Sequence, residues 1–225
     1  MVALRRPDGE ESGFEPWPPA LHGTDTPVHG TVALMYAVGP EPFLLVPDGG
    51  SGTRQLLERA LAGWAAAVGP PVPLGEAGTS LRWARRLLDL AARGLGGSPS
   101  PSAAIHGLGR SAPPLHCLDH LPALILLEDE ALIRTLIGRR LAPLQAAAPQ
   151  RRDRLAETLL CWLECRGSAP EVARRLGIHP QTVRYRVRHL NELFGDGLTE
   201  PQTRYELELA LRGRALLASL SDGHA

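Results

Sequence analysis

Apolar residues recur at helical intervals throughout the second half of the chain. One apolar face, at positions i, i+4, i+7 and i+8, predicts an amphipathic helix and comprises Leu155, Leu159, Trp162 and Leu163. A second face, at i, i+4, i+7 and i+11, predicts another helix and comprises Val183, Val187, Leu190 and Phe194. A last helix is predicted from about residue 203 to 220, although residues 205–211 also alternate as a strand would. We therefore predict an all-α domain over residues 151–220.

Turn and capping residues divide this domain into short helices. Gly167 ends the first helix, and Ser168–Glu171 has the form of a capping box, in which serine accepts from the N3 amide and glutamate reaches back. Gly177 is expected to end the second helix in a left-handed conformation. Pro180 fits the first turn of the third helix, where no amide is needed. Two short helices joined by a glycine turn, with a supporting helix before them, predict a helix-turn-helix.

Shorter apolar runs separated by glycine and proline characterise the first half of the chain. Buried strands are predicted for residues 31–38, 43–46 and 65–68. Helices are predicted for residues 53–63, 80–92 and 130–141. This alternation predicts a small α/β domain over residues 28–145, preceded by a proline-rich lead, residues 1–27, that we expect to be disordered or extended. The predicted fold class is α+β overall and mainly α.

Composition excludes two enzyme classes and leaves no net charge. The chain has 24 basic and 24 acidic residues, and every basic residue is arginine. A chain without lysine has neither the lysine of a P-loop nor a lysine for a Schiff base with pyridoxal phosphate. Three cysteines are an odd number and predict no disulfide framework. The first residues lack the apolar segment of a signal peptide, so we expect a cytoplasmic protein.

Positive charge is concentrated in the predicted helix-turn-helix. Residues 166–190 contain six arginines and one acid, whereas residues 1–150 contain 12 arginines and 14 acids. Such a local excess is typical of a DNA-binding module. Polar side chains lie opposite the apolar face of the third helix, where glutamine can pair with adenine, arginine with guanine, and threonine can touch a thymine methyl. Arg186 lies nearer the apolar side and is expected to run along the protein surface or to pair with an acid such as Glu157. The predicted DNA-binding residues are Ser168, Arg174, Arg175, His179, Gln181, Thr182, Arg184, Tyr185 and Arg188.

The sequence of the helical domain resembles that of a known family. The run Leu155–Arg214, with HPQTVRYRVRHL followed by RYELELAL, resembles the C-terminal helix-turn-helix domain of the PucR family of bacterial transcriptional regulators. The upstream segments AVGPPVPLGEAGTSLRWARRLLDL and RRLAPL resemble the middle region of PucR and CdaR regulators, a degenerate GGDEF-like α/β domain. The resemblance implies a non-enzymatic, DNA-binding transcriptional regulator without a cofactor. Because helix-turn-helix proteins generally bind paired half-sites, we expect a homodimer on double-stranded DNA, and the sequence does not identify a small-molecule effector.

Three weaker motifs are more simply interpreted as structural features. The segment His116–His120 offers four possible metal ligands in five residues, but no partner cluster has matching spacing, so no metal site is predicted. Cys161 and Cys165 lie one helical turn apart and could sense redox state, although small buried side chains are the simpler interpretation. The loop at residues 47–53 leads into a helix N-terminus that could bind an anion, but it lacks a P-loop lysine.

Two other classes of function stay open beside DNA binding. The helix-turn-helix could be a protein-interaction module that does not bind DNA. Alternatively, the α/β domain could be a small enzyme, which the missing lysines and the absence of a recognisable catalytic motif disfavour.

Overall fold

The computed structural model describes residues 1–5, 34–36, 42–47, 51–61, 64–95 and 113–222 of the chain. The chain divides into two compact units, one comprising residues 1–124 with 219–225 and the other comprising residues 125–218. The fold is α+β and mainly helical, as predicted, with a mixed sheet in the first unit and a helical second unit.

The first unit is built on a five-stranded sheet. Its strands are β1 (Val2–Arg5), β2 (Leu34–Tyr36), β3 (Phe43–Leu45), β4 (Ala65–Val68) and β5 (Leu115–His116). They are ordered β2-β3-β1-β4-β5; the β4–β5 pair is parallel and the other pairs are antiparallel. The helices along this part of the chain are α1 (Ser51–Ala60), α2 (Ala77–Ala92) and α3 (Leu121–Leu126). Leu57 and Leu61 pack with Leu44 and Val2 in the core of this unit.

Part of the lead that the sequence predicts to be disordered or extended is a buried strand of the sheet. Val2–Arg5 forms the central strand β1, and Val2, Ala3 and Leu4 are at most 3% exposed. This strand pairs with β3 on one side and β4 on the other, so both of its edges are hydrogen-bonded. Four residues are too few to show an apolar period beside a proline-rich stretch, which is why the pattern missed this strand. Residues 6–27 of the predicted lead lie outside the described residues.

The regular elements described in the second unit are helices. They are α4 (Glu130–Arg140), α5 (Pro149–Glu164), α6 (Ala169–Leu176), α7 (Pro180–Phe194) and α8 (Pro201–Asp222). Residues 205–211 are helical rather than extended because Leu207, Ala210 and Leu211 bury one side of α8 in the helical core. Of the helices in the described ranges, none combines the length and the apolar character needed to cross a bilayer.

The helical core includes residues that the sequence prediction assigned to the α/β domain. Leu141 and Leu144 are buried in the same cluster as Leu155 of α5. The division of the chain therefore falls after Leu124, rather than between residues 145 and 151 as the sequence pattern predicts. Apolar side chains at the end of α4 and after it find their buried contacts among the helices, which periodicity alone does not reveal.

Candidate nucleic-acid interface

Helices α5, α6 and α7 share a small hydrophobic core. Its buried members are Cys161, Val172, Ala173, Val183 and Val187. Ala173 is 5% exposed, and its small side chain leaves room for α6 to lie close to its neighbours. Ile178, in the turn between α6 and α7, packs against the same cluster. These contacts hold the two short helices and the supporting helix in one arrangement.

The turn between α6 and α7 has the predicted glycine geometry. Gly177 adopts φ 62° and ψ 31°, in the left-handed region. The Ile178 N–H donates to the carbonyl of Ala173 at 3.0 Å, which closes the end of α6. Helix α7 begins at Pro180, and His179 caps it by accepting a hydrogen bond from the Gln181 N–H on Nδ1 at 3.2 Å. His179 is exposed, as a DNA contact requires, but its Nδ1 already has a partner in the Gln181 N–H.

The predicted capping box at Ser168 is wrong. Ser168 occupies the N-cap of α6 with extended backbone angles, but its side chain makes no capping hydrogen bond. Glu171 instead accepts hydrogen bonds from Arg174 Nη2 at 2.6 Å and from Arg175 Nε at 3.2 Å. Bonds between ionised groups are stronger than a bond to a neutral amide, so the arginines take the glutamate. The exposed Ser168 hydroxyl remains a candidate for a phosphate contact.

Helix α7 has one buried side and one exposed side. Val183 and Leu190 are 0% exposed and Val187 is 8% exposed, whereas Tyr185 is 60% exposed. At 100° per residue, the five polar positions on the opposite side fall within an arc of about 160°. These exposed side chains are Gln181, Thr182, Arg184, Tyr185 and Arg188. The structure therefore places the five predicted base-reading residues on one surface.

Arg174 and Arg175 of α6 are exposed but paired with acids. Their side chains are 74% and 46% exposed. Arg174 donates two hydrogen bonds to Glu171, and Arg175 contacts both Glu171 and Glu164, the latter at 3.3 Å. The hydrogen bonds from Arg174 and then from Arg175 lower the pKa of Glu171, which is therefore ionised at neutral pH. Most of the charge of α6 is compensated within the protein.

The arginines of α7 have different surroundings. The side chains of Arg184 and Arg188 are exposed, and neither guanidinium forms an ion pair or hydrogen bond with any residue that the structure describes. Arg186 donates from Nη1 to the buried Oγ1 of Thr158 at 3.0 Å, and Thr158 donates on to a backbone carbonyl of α5 at 2.6 Å. The expected pairing of Arg186 with Glu157 is therefore wrong: the adjacent hydroxyl is its partner. This bond fixes α7 to α5 and removes Arg186 from the exposed side.

Arg166 is a candidate contact that the sequence prediction did not include. It precedes α6 with φ 51°, a left-handed conformation that is uncommon for a residue with a side chain. Hydrogen bonds from its own N–H to Leu163 and from Gly167 to Trp162, at 3.2 and 3.0 Å, close this turn. Its exposed guanidinium has no ion pair within the described ranges. The sequence signal was the basic segment itself, but only the fold shows that Arg166 is unpaired.

The segment His116–His120 and the glycine-rich loop at residues 47–53 are the two other motifs noted in the sequence of the first unit. Among the residues that the structure describes, no group of three or more His, Cys, Asp or Glu side chains is arranged to hold a metal ion. Asp119 instead accepts a hydrogen bond from Arg54 Nη2 at 2.8 Å. Residues 48–50 of the glycine-rich loop lie outside the described residues.

Cys161 of α5 and Cys165, which caps the C-terminus of that helix, lie in the helix-turn-helix core. Their Sγ atoms are 3.8 Å apart, and neither forms a disulfide. Burial, with a smaller contribution from the Cys165 side chain, raises the pKa of Cys161 to about 11. Cys161 is therefore protonated at neutral pH, which makes it a poor nucleophile and favours a packing role.

Comparison with known proteins gives the helix-turn-helix a family. Residues 155–213 match the model of the PucR C-terminal helix-turn-helix domain. An uncharacterised protein of Mycobacterium tuberculosis (strain ATCC 25618 / H37Rv) is 32% identical over 188 residues, which cover 81% of this chain and 41% of that protein. An uncharacterised protein from the pkwA 5′ region of Thermomonospora curvata is 32% identical over 151 residues, which cover 67% of this chain and 73% of that protein. The purine catabolism regulatory protein of Bacillus subtilis (strain 168) is 40% identical over 73 residues, which cover 32% of this chain and 14% of that protein.

Among solved structures, a regulator of polyketide synthase expression from Bifidobacterium adolescentis is similar with a TM-score of 0.37 and 23% identity, covering 95% of this chain and 79% of that chain. The chain spans about two fifths of the length of its mycobacterial relative, whose matched share is 41%. The packing of α5, α6 and α7 defines a helix-turn-helix protein. Within it, residues 155–213 are a helix-turn-helix domain of the PucR C-terminal family.

Proposed function

We propose that this chain is a sequence-specific transcriptional regulator that acts in the cytoplasm as a homodimer on double-stranded DNA. Its DNA-binding domain lies within the helical unit, residues 125–218, and the unit that contains the sheet is a non-enzymatic α/β domain. The PucR-type helix-turn-helix domain and the name of the Bacillus relative support the regulatory role.

The exposed side of α7 is the observation that carries this proposal. Arg184 and Arg188 stand on it without an internal ion pair in the described residues, next to Gln181, Thr182 and Tyr185. Charged side chains left unpaired on a surface are available to a ligand of opposite charge. The uncompensated arginines and the hydrogen-bonding side chains share one helix face, which is the requirement for reading a duplex.

The major groove of B-DNA admits an α-helix, and the second helix of a helix-turn-helix places its N-terminal residues against base edges. In this arrangement Gln181 pairs with adenine and Arg188 with guanine, while the methyl group of Thr182 contacts thymine. His179, at the N-cap of α7, stands beside these residues. Its Nδ1 caps the helix, and its Nε2 has no hydrogen-bond partner among the described residues.

Contacts to phosphate position the protein without specifying sequence. The start of α6 offers the exposed Ser168 hydroxyl and the unpaired guanidinium of Arg166. Arg174 and Arg175 also lie on α6, but a phosphate must compete there with Glu171. We therefore expect Arg174 and Arg175 to add less to affinity than their exposure suggests.

Selection of bound duplexes from a random pool tests the proposal directly. The wild-type chain should enrich one sequence, and its affinity for that duplex should fall steeply as salt is raised because phosphate contacts release counterions. Gln181→Ala should relax the preference at one base position by about 1–3 kcal/mol. Gln202→Ala, which removes an exposed glutamine of α8, is the matched control and should leave the preference unchanged.

A second candidate function is docking of the helix-turn-helix on another protein. The observation in its favour is the compensation of α6 by Glu171 and Glu164, together with the 60% exposure of Tyr185, a residue type enriched at protein interfaces. This function takes precedence if no duplex is enriched and binding to DNA is absent even at low salt.

A further inference from the structure

A shallow apolar groove runs along α4, in the helical unit. Its volume is about 530 Å³, and its floor is formed by Leu126, Ile133 and Leu136. Two aliphatic side chains at its edge, Ile125 and Leu132, are 73% and 68% exposed. Large apolar side chains that are clustered and exposed mark interaction surfaces more often than chance exposure does.

The side of α4 that adjoins the groove is fixed within the helical core. Ile133 is 5% exposed, and α8 passes so close that a Cβ on Gly213 would lie 2.4 Å from Ile133 Cγ1. Arg140 forms an ion pair with Glu206 of α8. The groove is therefore a feature of a supported helix, and its exposed residues have a defined orientation.

Charge along the groove has a self-complementary order. Glu128, Leu132, Thr135 and Arg139 line it at spacings of four, three and four residues. All four are exposed, and neither the carboxylate of Glu128 nor the guanidinium of Arg139 has an ion-pair or hydrogen-bond partner within the described ranges. If a second copy of this segment runs antiparallel, with the midpoint between Ile133 and Arg134, Glu128 of one copy faces Arg139 of the other. In the same way Leu132 of one copy faces Thr135 of the other. Glu128 lies in the turn just before α4 and Arg139 near the C-terminal end of that helix, so the acid and the base stand at opposite ends of the groove.

We propose that a second copy of this chain docks on this groove, with the two α4 helices antiparallel across a two-fold axis. Glu128 of each copy then pairs with Arg139 of the other, and the two Leu132 side chains lie between these two ion pairs. Such an interface is isologous, since the same patch serves on both copies. The proposal deepens the proposed function and rests on it in one respect: a helix-turn-helix regulator needs a second recognition helix for its second half-site.

Sedimentation equilibrium of the full chain tests the interface. The wild type should be a dimer, and Leu132→Asp should raise the dimer Kd by at least about thirtyfold because the charge is buried twice in a symmetric interface. Leu74→Asp is the matched control, since Leu74 is 75% exposed elsewhere, and it should leave the dimer unchanged. Far-UV circular dichroism should show Leu132→Asp to be folded, because Leu132 is an exposed residue.

Charge reversal gives a second, independent readout. Glu128→Arg and Arg139→Glu should each weaken the dimer by about tenfold, since each creates two like-charge contacts, and the double variant should restore it. A wild-type chain that stays monomeric up to about 100 μM overturns the proposal. A dimer that neither Leu132→Asp nor the charge reversals weaken overturns it as well.

DNA binding by the same variants separates this proposal from the proposed function. If the monomeric Leu132→Asp chain still binds a single half-site with a steep salt dependence, the recognition helix works and the groove supplies the dimer. Suppose instead that the wild type is a dimer, that Leu132→Asp dissociates it, and that the wild-type dimer binds no duplex. The interface then stands and the DNA-binding function fails.

Discussion

Helices α6 and α7 both carry arginines, but the two helices differ in how far those charges are neutralised by neighbouring acids. On α6, Arg174 and Arg175 both donate to Glu171. On α7, Arg184 and Arg188 have no ion pair within the described ranges. Two neighbouring basic helices therefore present unequal positive potential to a ligand, and the count of arginines in the segment overstates the free charge.

The spacing of acids explains the difference. Glu171 lies three and four residues before Arg174 and Arg175, where side chains on a helix meet. The corresponding positions before Arg184 are Pro180 and Gln181, which carry no charge. Glu192 lies four residues after Arg188, but its carboxylate is 3.1 Å from His189 Nδ1. Of these two helices, α7 is therefore the one whose exposed arginines have no ion pair among the described residues.

The largest change in the free energy of unfolding is expected from truncating Leu190, which holds the apolar side of α7 in the core. Leu190 is 0% exposed, and Leu190→Ala should lower the free energy of unfolding by about 2–5 kcal/mol through lost contacts and the cavity left behind. Tyr185→Ala, on the opposite side of the same helix, should change it by less than about 0.5 kcal/mol. Denaturant unfolding followed by circular dichroism measures both. Equal losses in the two variants would contradict the assignment of buried and exposed sides.

A smaller loss is expected at the turn that sets α6 against α7. Gly177→Ala should cost about 1–2 kcal/mol because alanine is strained at φ 62°. The cost comes from the backbone alone, since a Cβ at this position would have no heavy atom within 4 Å. Gly138→Ala is the control: it has equal space but lies within helix α4, and it should stabilise by about 0.5–1 kcal/mol. Thermal unfolding should show opposite signs.

Much of this arrangement is predictable from local sequence. The periods of α5 and α7, the left-handed Gly177 and the first-turn Pro180 are properties of neighbouring residues, and each was confirmed. The five side chains on the exposed side of α7 follow from the same period. Local rules succeed here because a helix determines the direction of a side chain from sequence spacing alone.

Long-range partners were beyond those rules. Thr158 lies 28 residues from Arg186, so the hydrogen bond that it accepts from that guanidinium depends on how α5 packs against α7. The capping box at Ser168 failed because Glu171 had two competing cations that the motif ignores. Strand β1 was missed because its burial comes from β3 and β4, which are distant in sequence.

A modest gain in affinity is expected from making α6 resemble α7. Glu171→Gln removes the acid shared by Arg174 and Arg175 and should raise affinity for any duplex severalfold, with a salt slope steeper by about one unit. Glu192→Gln, which removes an exposed acid near the end of α7, is the control for a general change in net charge. Fluorescence anisotropy over a salt series gives both slopes. If the two variants behave alike, pairing at Glu171 does not mask the α6 arginines.

We expect the unpaired arginines of α7, rather than the paired arginines of α6, to hold the duplex. The most direct measurement compares Arg188→Ala with Arg174→Ala on a selected duplex and on a scrambled one, across a salt series. We predict that Arg188→Ala loses about 1–3 kcal/mol on the selected duplex and less on the scrambled one, as for a base-reading contact. Arg174→Ala should lose less than about 0.5 kcal/mol on either, as expected for an exposed, already paired side chain. A larger loss for Arg174→Ala than for Arg188→Ala, on both duplexes, would contradict the account.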